Sequence, residues 1–202
     1  MKLLGSLLLF AAAAWAQYTV APAGAPPAEA AAVAPLLLPD GVKVAGPNGS
    51  TVEVWLLAAM PPAGTAEANA TLAITHGALL GVARVSGPYA DRRGLPIKPG
   101  VYTLRYSVYP VNGDHQGVAP QRDFAILARI ADDKDPKTPL AFDPLMDLSR
   151  KGSGTPHPIC LSIWKGGDGD GKLTKEGEHD WILNTKIGGA PVSVIVAGKS
   201  EG

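Results

Sequence analysis

The chain has one cysteine, Cys160, among 202 residues, so no disulfide can form within it. None is needed, because a chain of this size buries roughly 70% of the surface its unfolded form exposes. Cys160 lies in an apolar segment and is expected to be a small core residue; the alternative is a thiol that pairs between chains. An excess of charge of either sign is also missing, since 18 Lys and Arg face 18 Asp and Glu. That balance lacks the basic field that nucleic acid or anionic lipid demands, and both partners are set aside. The four histidines, His76, His115, His157 and His179, show no HxH or HxxxH spacing from which a zinc or copper site could be assembled. A nucleophile elbow, G-x-S-x-G between a strand and a helix, is missing too. Gly152-Ser153-Gly154 follows a helix, and Gly198-Lys199-Ser200 lies too close to the chain end to open one.

What is present begins with the leader. Lys2 supplies a positive n-region, Leu3 to Ala14 an apolar run too short to cross a bilayer, and Ala14-Trp15-Ala16 a small-x-small cleavage site. Residues 1–16 are therefore expected to be a signal peptide, and the mature chain to start at Gln17 as an exported, periplasmic or extracellular protein. No integral membrane segment is expected after cleavage. No cysteine follows the apolar run, so a lipid anchor on the mature end is not expected. Residues 17–38 are rich in Ala and Pro and are expected to form a flexible, extended tether. Residues 39–202 are expected to form one domain.

From Pro39 onward Gly and Pro recur roughly every 8–15 residues, and the runs between them are short and rich in β-branched and aromatic residues. Val42 to Val44, a Gly46-Pro47-Asn48-Gly49 turn and Thr51 to Leu57 form a predicted hairpin. Leu72 to Thr75, Leu79 to Val85, Phe124 to Arg129, Ile159 to Trp164, Trp181 to Ile187 and Val192 to Ala197 are further predicted strands. The clearest is Val101 to Tyr109, with Tyr102, Leu104, Tyr106 and Val108 on one face and Thr103, Arg105, Ser107 and Tyr109 on the other. One short helix is predicted, capped by Asp143, with Pro144 at its first position, Leu145, Met146 and Leu148 as its apolar side, and Gly152 ending it. The expected fold is all-β: an antiparallel β-sandwich of about nine short strands with one short helix. Trp55 and Trp164 are expected to pack rather than to offer stacking platforms.

Two loops gather polar side chains. Gly166 to Thr174 places Asp168 and Asp170 at the third and fifth ligand positions of a calcium-type loop. Gly166 and Gly177 stand where an acidic first ligand and a closing Glu are needed, so a Gly-rich hairpin tip is the competing reading. The same run matches GxxxxGK, yet Leu173 replaces the magnesium-binding hydroxyl and two aspartates repel phosphate, which excludes a phosphate loop. The second loop, Asn112 to Phe124, carries the candidate ligand-binding residues Asp114, His115, Arg122 and Asp123. His115 could ligate a metal or move a proton, the aspartates could orient it, and Arg122 could clamp a carboxylate. The structural alternative is an Arg122–Asp123 pair that neutralises itself and ties the loop down.

The stretches Lys98 to Tyr106 (KPGVYTLRY), Gly113 to Phe124 (GDHxGVxPxRDF) and Ser149 to Pro158 (SRKxSGTxHP) carry a resemblance. They resemble a family of small exported bacterial proteins of uncharacterised function. The resemblance spans most of residues 39–198 and implies export, but it carries over no activity. With no complete catalytic or metal-ligand set, the expected function is an exported, non-catalytic binding or structural module of the periplasm or cell envelope. It would need no cofactor, and its partner would be an envelope protein or a small ligand. The alternative is a metal-binding protein or metal-dependent enzyme that holds a divalent ion at Asp114, His115 and Asp123, with His157 brought near.

Overall fold

The computed structural model describes residues 18–110 and 121–200. The expected leader, and Asp114 and His115 with it, lie outside the described residues. The alternating runs become β1 (Thr19–Gly24), β2 (Gly41–Ala45), β3 (Thr51–Leu56), β4 (Leu79–Ser86), β5 (Gly100–Val108) and β6 (Asp123–Arg129). After a helix, α1 (Phe142–Ser153), come β7 (Ile159–Lys165), β8 (Leu173–Glu176), β9 (Asp180–Ile187) and β10 (Ala190–Ala197). All ten strands belong to one antiparallel sheet in which β1 to β7 are neighbours in chain order and β10, β9 and β8 then follow β7.

The sheet twists back on itself. Tyr18 packs on Trp181 at a ring separation of 5.3 Å, Arg92 pairs with Asp180 at 3.0 Å, and the Tyr89 hydroxyl donates to the Val196 carbonyl. The β9–β10 turn also reaches the end of β3, where the Gly188 N–H donates to the carbonyl of Leu57, the residue after the strand, at 3.0 Å. Gly188 has φ +55°, and a Cβ there would run into the Met60 backbone, so this approach requires glycine. The two arms thus face each other across one core that holds Trp55, Leu80, Tyr102, Leu127, Ile163 and Leu183. The all-β antiparallel expectation holds, with the sandwich made by a single, nearly closed sheet.

Two strands were not expected. Residues 18–38 are not a loose tether in this fold: β1 pairs with β2 from Thr19↔Ala45 to Gly24↔Gly41. The Trp55 indole donates to the Gly24 carbonyl at 2.7 Å, and Ala30 and Val33 are fully buried in the core. Prolines that argued for an extended chain are compatible with this edge strand, where half the backbone groups need no ladder partner. The β2–β3 turn is as expected, with Asn48 and Gly49 both in the left-handed region.

Helix α1 differs from its expected ends. It begins at Phe142 with Ala141 in the capping position, Asp143 makes no capping hydrogen bond, and Gly154, at φ +71°, terminates it rather than Gly152. Gly152 instead lies in the last turn, near the Arg129 side chain. The helix covers the outer face of β6 and β7, where Leu145 and Met146 join Phe124, Ile126 and Cys160 in a second, smaller core. A single hydroxyl fixes it there: Ser149 donates to the Leu127 carbonyl at 2.6 Å and accepts from the Ile159 N–H at 2.9 Å. Cys160 is buried in this layer, as expected, and burial pushes its thiol up to about 12.

Candidate functional site

Strand β5 organises the polar chemistry because both of its faces are covered. On the inner face the Tyr106 hydroxyl donates to Asp123 at 2.7 Å. The Asp123 carboxylate also accepts from the Thr71 N–H at 2.8 Å, the Thr71 hydroxyl at 3.0 Å and the Leu72 N–H at 3.1 Å. Four donors therefore satisfy a fully buried carboxylate. Burial and the neighbouring carboxylate drive the Tyr106 hydroxyl well above the usual phenol range.

Arg122, the preceding residue, points away, as successive residues on a strand must. Its Nε donates to the Tyr109 carbonyl at 3.1 Å, and its Nη atoms reach the Ala68 carbonyl and, at 3.3 Å, Glu67. Its guanidinium also lies 5.5 Å from the centre of the Tyr109 ring. The expected Arg122–Asp123 pair is thus corrected. Each residue separately anchors the 67–72 segment to the end of the sheet.

The Gly-Asp hairpin tip leaves Asp168 and Asp170 exposed. Asp170 is bonded to Lys172, 2.7 Å to its Nζ, which holds its carboxyl below the usual carboxylate range. Among the described residues, no three His, Cys, Asp or Glu side chains gather to hold a metal ion. His179 is exposed and lies 3.7 Å from Glu178. Trp55 packs in the core, as expected.

On the outer face of β5, Thr103, Arg105 and Ser107 meet the segment that crosses from β6 to α1. The Arg105 Nε and Nη2 both donate to Asp133 at 2.7 Å, and its remaining donors reach the carbonyls of Gly77, Thr138 and Asp135. Thr103 adds a hydroxyl to Asp133 at 2.6 Å. Further along, His76 closes the same segment. Its Nδ1 lies 3.1 Å from the Leu140 carbonyl, which can only accept, so Nδ1 carries the proton and Nε2 accepts from the Ser107 hydroxyl at 2.9 Å. This resembles the first two links of an acyl-transfer triad. Ser107 is however only 2% exposed and sits within the strand, and the pair serves to hold Leu140 against β5.

Beyond Ser107 the cover ends and a cleft of about 270 Å³ opens between α1 and the sheet. One wall is the helical line Phe142, Met146 and Arg150, spaced by four residues and so stacked along one face of α1. The floor includes Ser107, Phe124 and Cys160, and Tyr109 stands at one end. The opposite rim is Pro156-His157-Pro158. Two arginines hold it in place: the Arg150 Nε donates to the Pro156 carbonyl at 3.0 Å and the Arg93 Nη2 to the Pro158 carbonyl at 2.7 Å. Phe142 remains 42% exposed at the mouth, 5.7 Å from the His76 ring.

Of these residues, only His157 and, as an inter-chain thiol, Cys160 were singled out in the sequence for their chemistry. Arg93, Tyr109 and the α1 residues Phe142 and Arg150 come from three separate stretches of the chain, and the one local signal was the i, i+4, i+8 spacing of 142, 146 and 150. Comparison with family models, with curated proteins and with solved structures returns no match to this chain. The fold and the site describe an antiparallel β protein with a helix-walled cleft on its outer face.

Proposed function

We propose that the chain is an exported, non-catalytic binding module of the periplasm or cell envelope, and that the cleft beside α1 is its ligand seat. The observation that carries this reading is the cleft itself. Aromatic and sulfur-containing side chains line a concave space whose rim is fixed by two arginines, the usual make-up of a small-molecule site. Elsewhere the strongest polar groups, Arg105, Arg122 and Asp123, are consumed in holding segments to the sheet. The metal-centred alternative loses Asp123 as a ligand, because its oxygens already serve four donors. Export fits the fold in one respect: removal of residues 1–16 would leave β1, which begins at Thr19, whole.

The test is ligand-observed NMR with a library of small aromatic and aliphatic fragments on the wild type and on Met146→Trp, which fills the cleft. Binding fragments are expected for the wild type and lost in the variant, while the variant still unfolds in one cooperative transition. Fragments that bind both proteins equally, or none that bind at all, contradict the assignment.

A further inference from the structure

We propose that the ligand of this cleft is a small organic anion: a carboxylate carried on an aromatic or branched apolar body. The inference rests on the cleft being the binding seat and adds the chemistry of what sits there. Its first support is the sign of the charge. Among the described residues lining the cleft, the ionisable groups able to carry positive charge are Arg93, Arg150 and His157, and no Asp or Glu is among them. This in a chain whose charges balance, 18 against 18. The adjoining hollow, which shares Val108, Tyr109, Pro110 and Phe142 with the cleft, is bordered by Glu67 and Arg122 together. Arg93 is paired with the buried Asp91 and Arg150 with the exposed Asp147, so the lining favours an anion at short range, through the donors those pairs leave, rather than by a long-range field.

The second support is how the charge and the apolar surface are divided. Arg150, at the end of the α1 wall, reaches across to the Pro156 carbonyl and Arg93 to the Pro158 carbonyl, so both guanidinium groups meet at the Pro156-His157-Pro158 rim, while Tyr109, Phe124 and Phe142 supply aromatic surface. A molecule that satisfies both needs one charged end and one apolar end. The third is the state of the guanidinium groups. Arg150 donates once to Pro156 and once to Asp147, at 2.8 Å, out of five N–H donors in a planar fork. Donors remain for a carboxylate, whose two oxygens match that fork. Anchoring to the Pro156 carbonyl fixes the fork in advance, so less side-chain entropy is lost on binding. The volume sets the size: about 270 Å³ is just below the range of drug-sized sites, which points to on the order of ten to fifteen non-hydrogen atoms.

Calorimetry on the full chain with three probes of equal shape separates the possibilities: 3-phenylpropionate, 3-phenylpropan-1-ol and 3-phenylpropylamine. The carboxylate is expected to bind about tenfold or more tightly than the alcohol, with the amine weakest. Arg150→Gln should weaken the carboxylate more than the alcohol and so narrow the preference, and added salt should weaken the carboxylate alone. Phe142→Ala should weaken all three. Equal binding of alcohol and carboxylate to the wild type, or preference for the amine, overturns the anion assignment and leaves the seat standing. Silence from all three probes overturns both.

Discussion

The outer face of β5 is built in two halves that treat the same crossing segment differently. At Thr103 and Arg105 the cover is complete: a fully buried guanidinium has every donor matched and shares its carboxylate with a threonine. At Ser107 the side chain is small, His76 holds Leu140, and the chain rises into α1, leaving the cleft beside it. Gly77 marks the junction. It has φ +73°, and a Cβ there would strike the Leu140 carbonyl, so the segment can approach this closely only over glycine. One half is covered scaffold and the other is open.

The comparison breaks most visibly at Asp133. Asp133→Ala leaves Arg105 buried without its counter-charge and is expected to cost about 3–5 kcal/mol in denaturant unfolding, against about 1 kcal/mol for Ser107→Ala. Equal costs would erase the distinction between the halves. Pairing Arg105→Met with Asp133→Leu should recover much of the loss, since the replaced pair leaves no orphaned charge.

Alkali offers the next largest effect. Burial raises the phenols of Tyr102 and Tyr106 above the usual value of 10.0. The unfolded chain therefore releases these protons first, so their contribution is complete below about pH 10 and is lost as pH rises further. The expected slope is roughly 1.4 kcal/mol per pH unit for a phenol that stays protonated in the fold, and Tyr106→Phe should remove the Tyr106 share of it. A midpoint that stays flat between pH 10 and 11 contradicts the buried assignment.

Smaller still is Phe142→Ala. The side chain is 42% exposed, so stability should change by less than about 1 kcal/mol even as cleft binding weakens. A large loss of stability would make Phe142 part of the scaffold instead. The smallest expected effect is that of metal. Ca²⁺, Zn²⁺ or Cu²⁺ at about a thousand times a dissociation constant would add roughly 4 kcal/mol and raise the midpoint by on the order of 10 °C. No such rise over the EDTA sample is expected, and Asp168→Ala with Asp170→Ala should leave the midpoint unmoved. A selective rise would restore the metal-centred alternative.

Strands β2 to β7, β9 and β10 were legible because their alternation is local and bounded by Gly and Pro. Strand β1 was not: Thr19–Gly24 contains Pro22 and is mostly exposed, so only its pairing with β2 makes it a strand. Strand β8 is four residues, Leu173–Glu176, with three of them exposed, and offers no apolar face to read. The residue types at Arg122 and Asp123 were recognised, but their roles depend on carbonyls and amides some fifty residues away at 67–72. The cleft was hidden for the same reason, since its walls meet only after α1 crosses the sheet.

The most direct measurement uses the methionines. Met146 lines the cleft, whereas Met60 is 50% exposed in a separate groove near the β9–β10 turn. With carbon-13 on the methionine methyls, titration with 3-phenylpropionate should shift and saturate the Met146 signal while Met60 stays in place. If Met146 stays in place, or both signals drift together, the cleft is not a ligand seat.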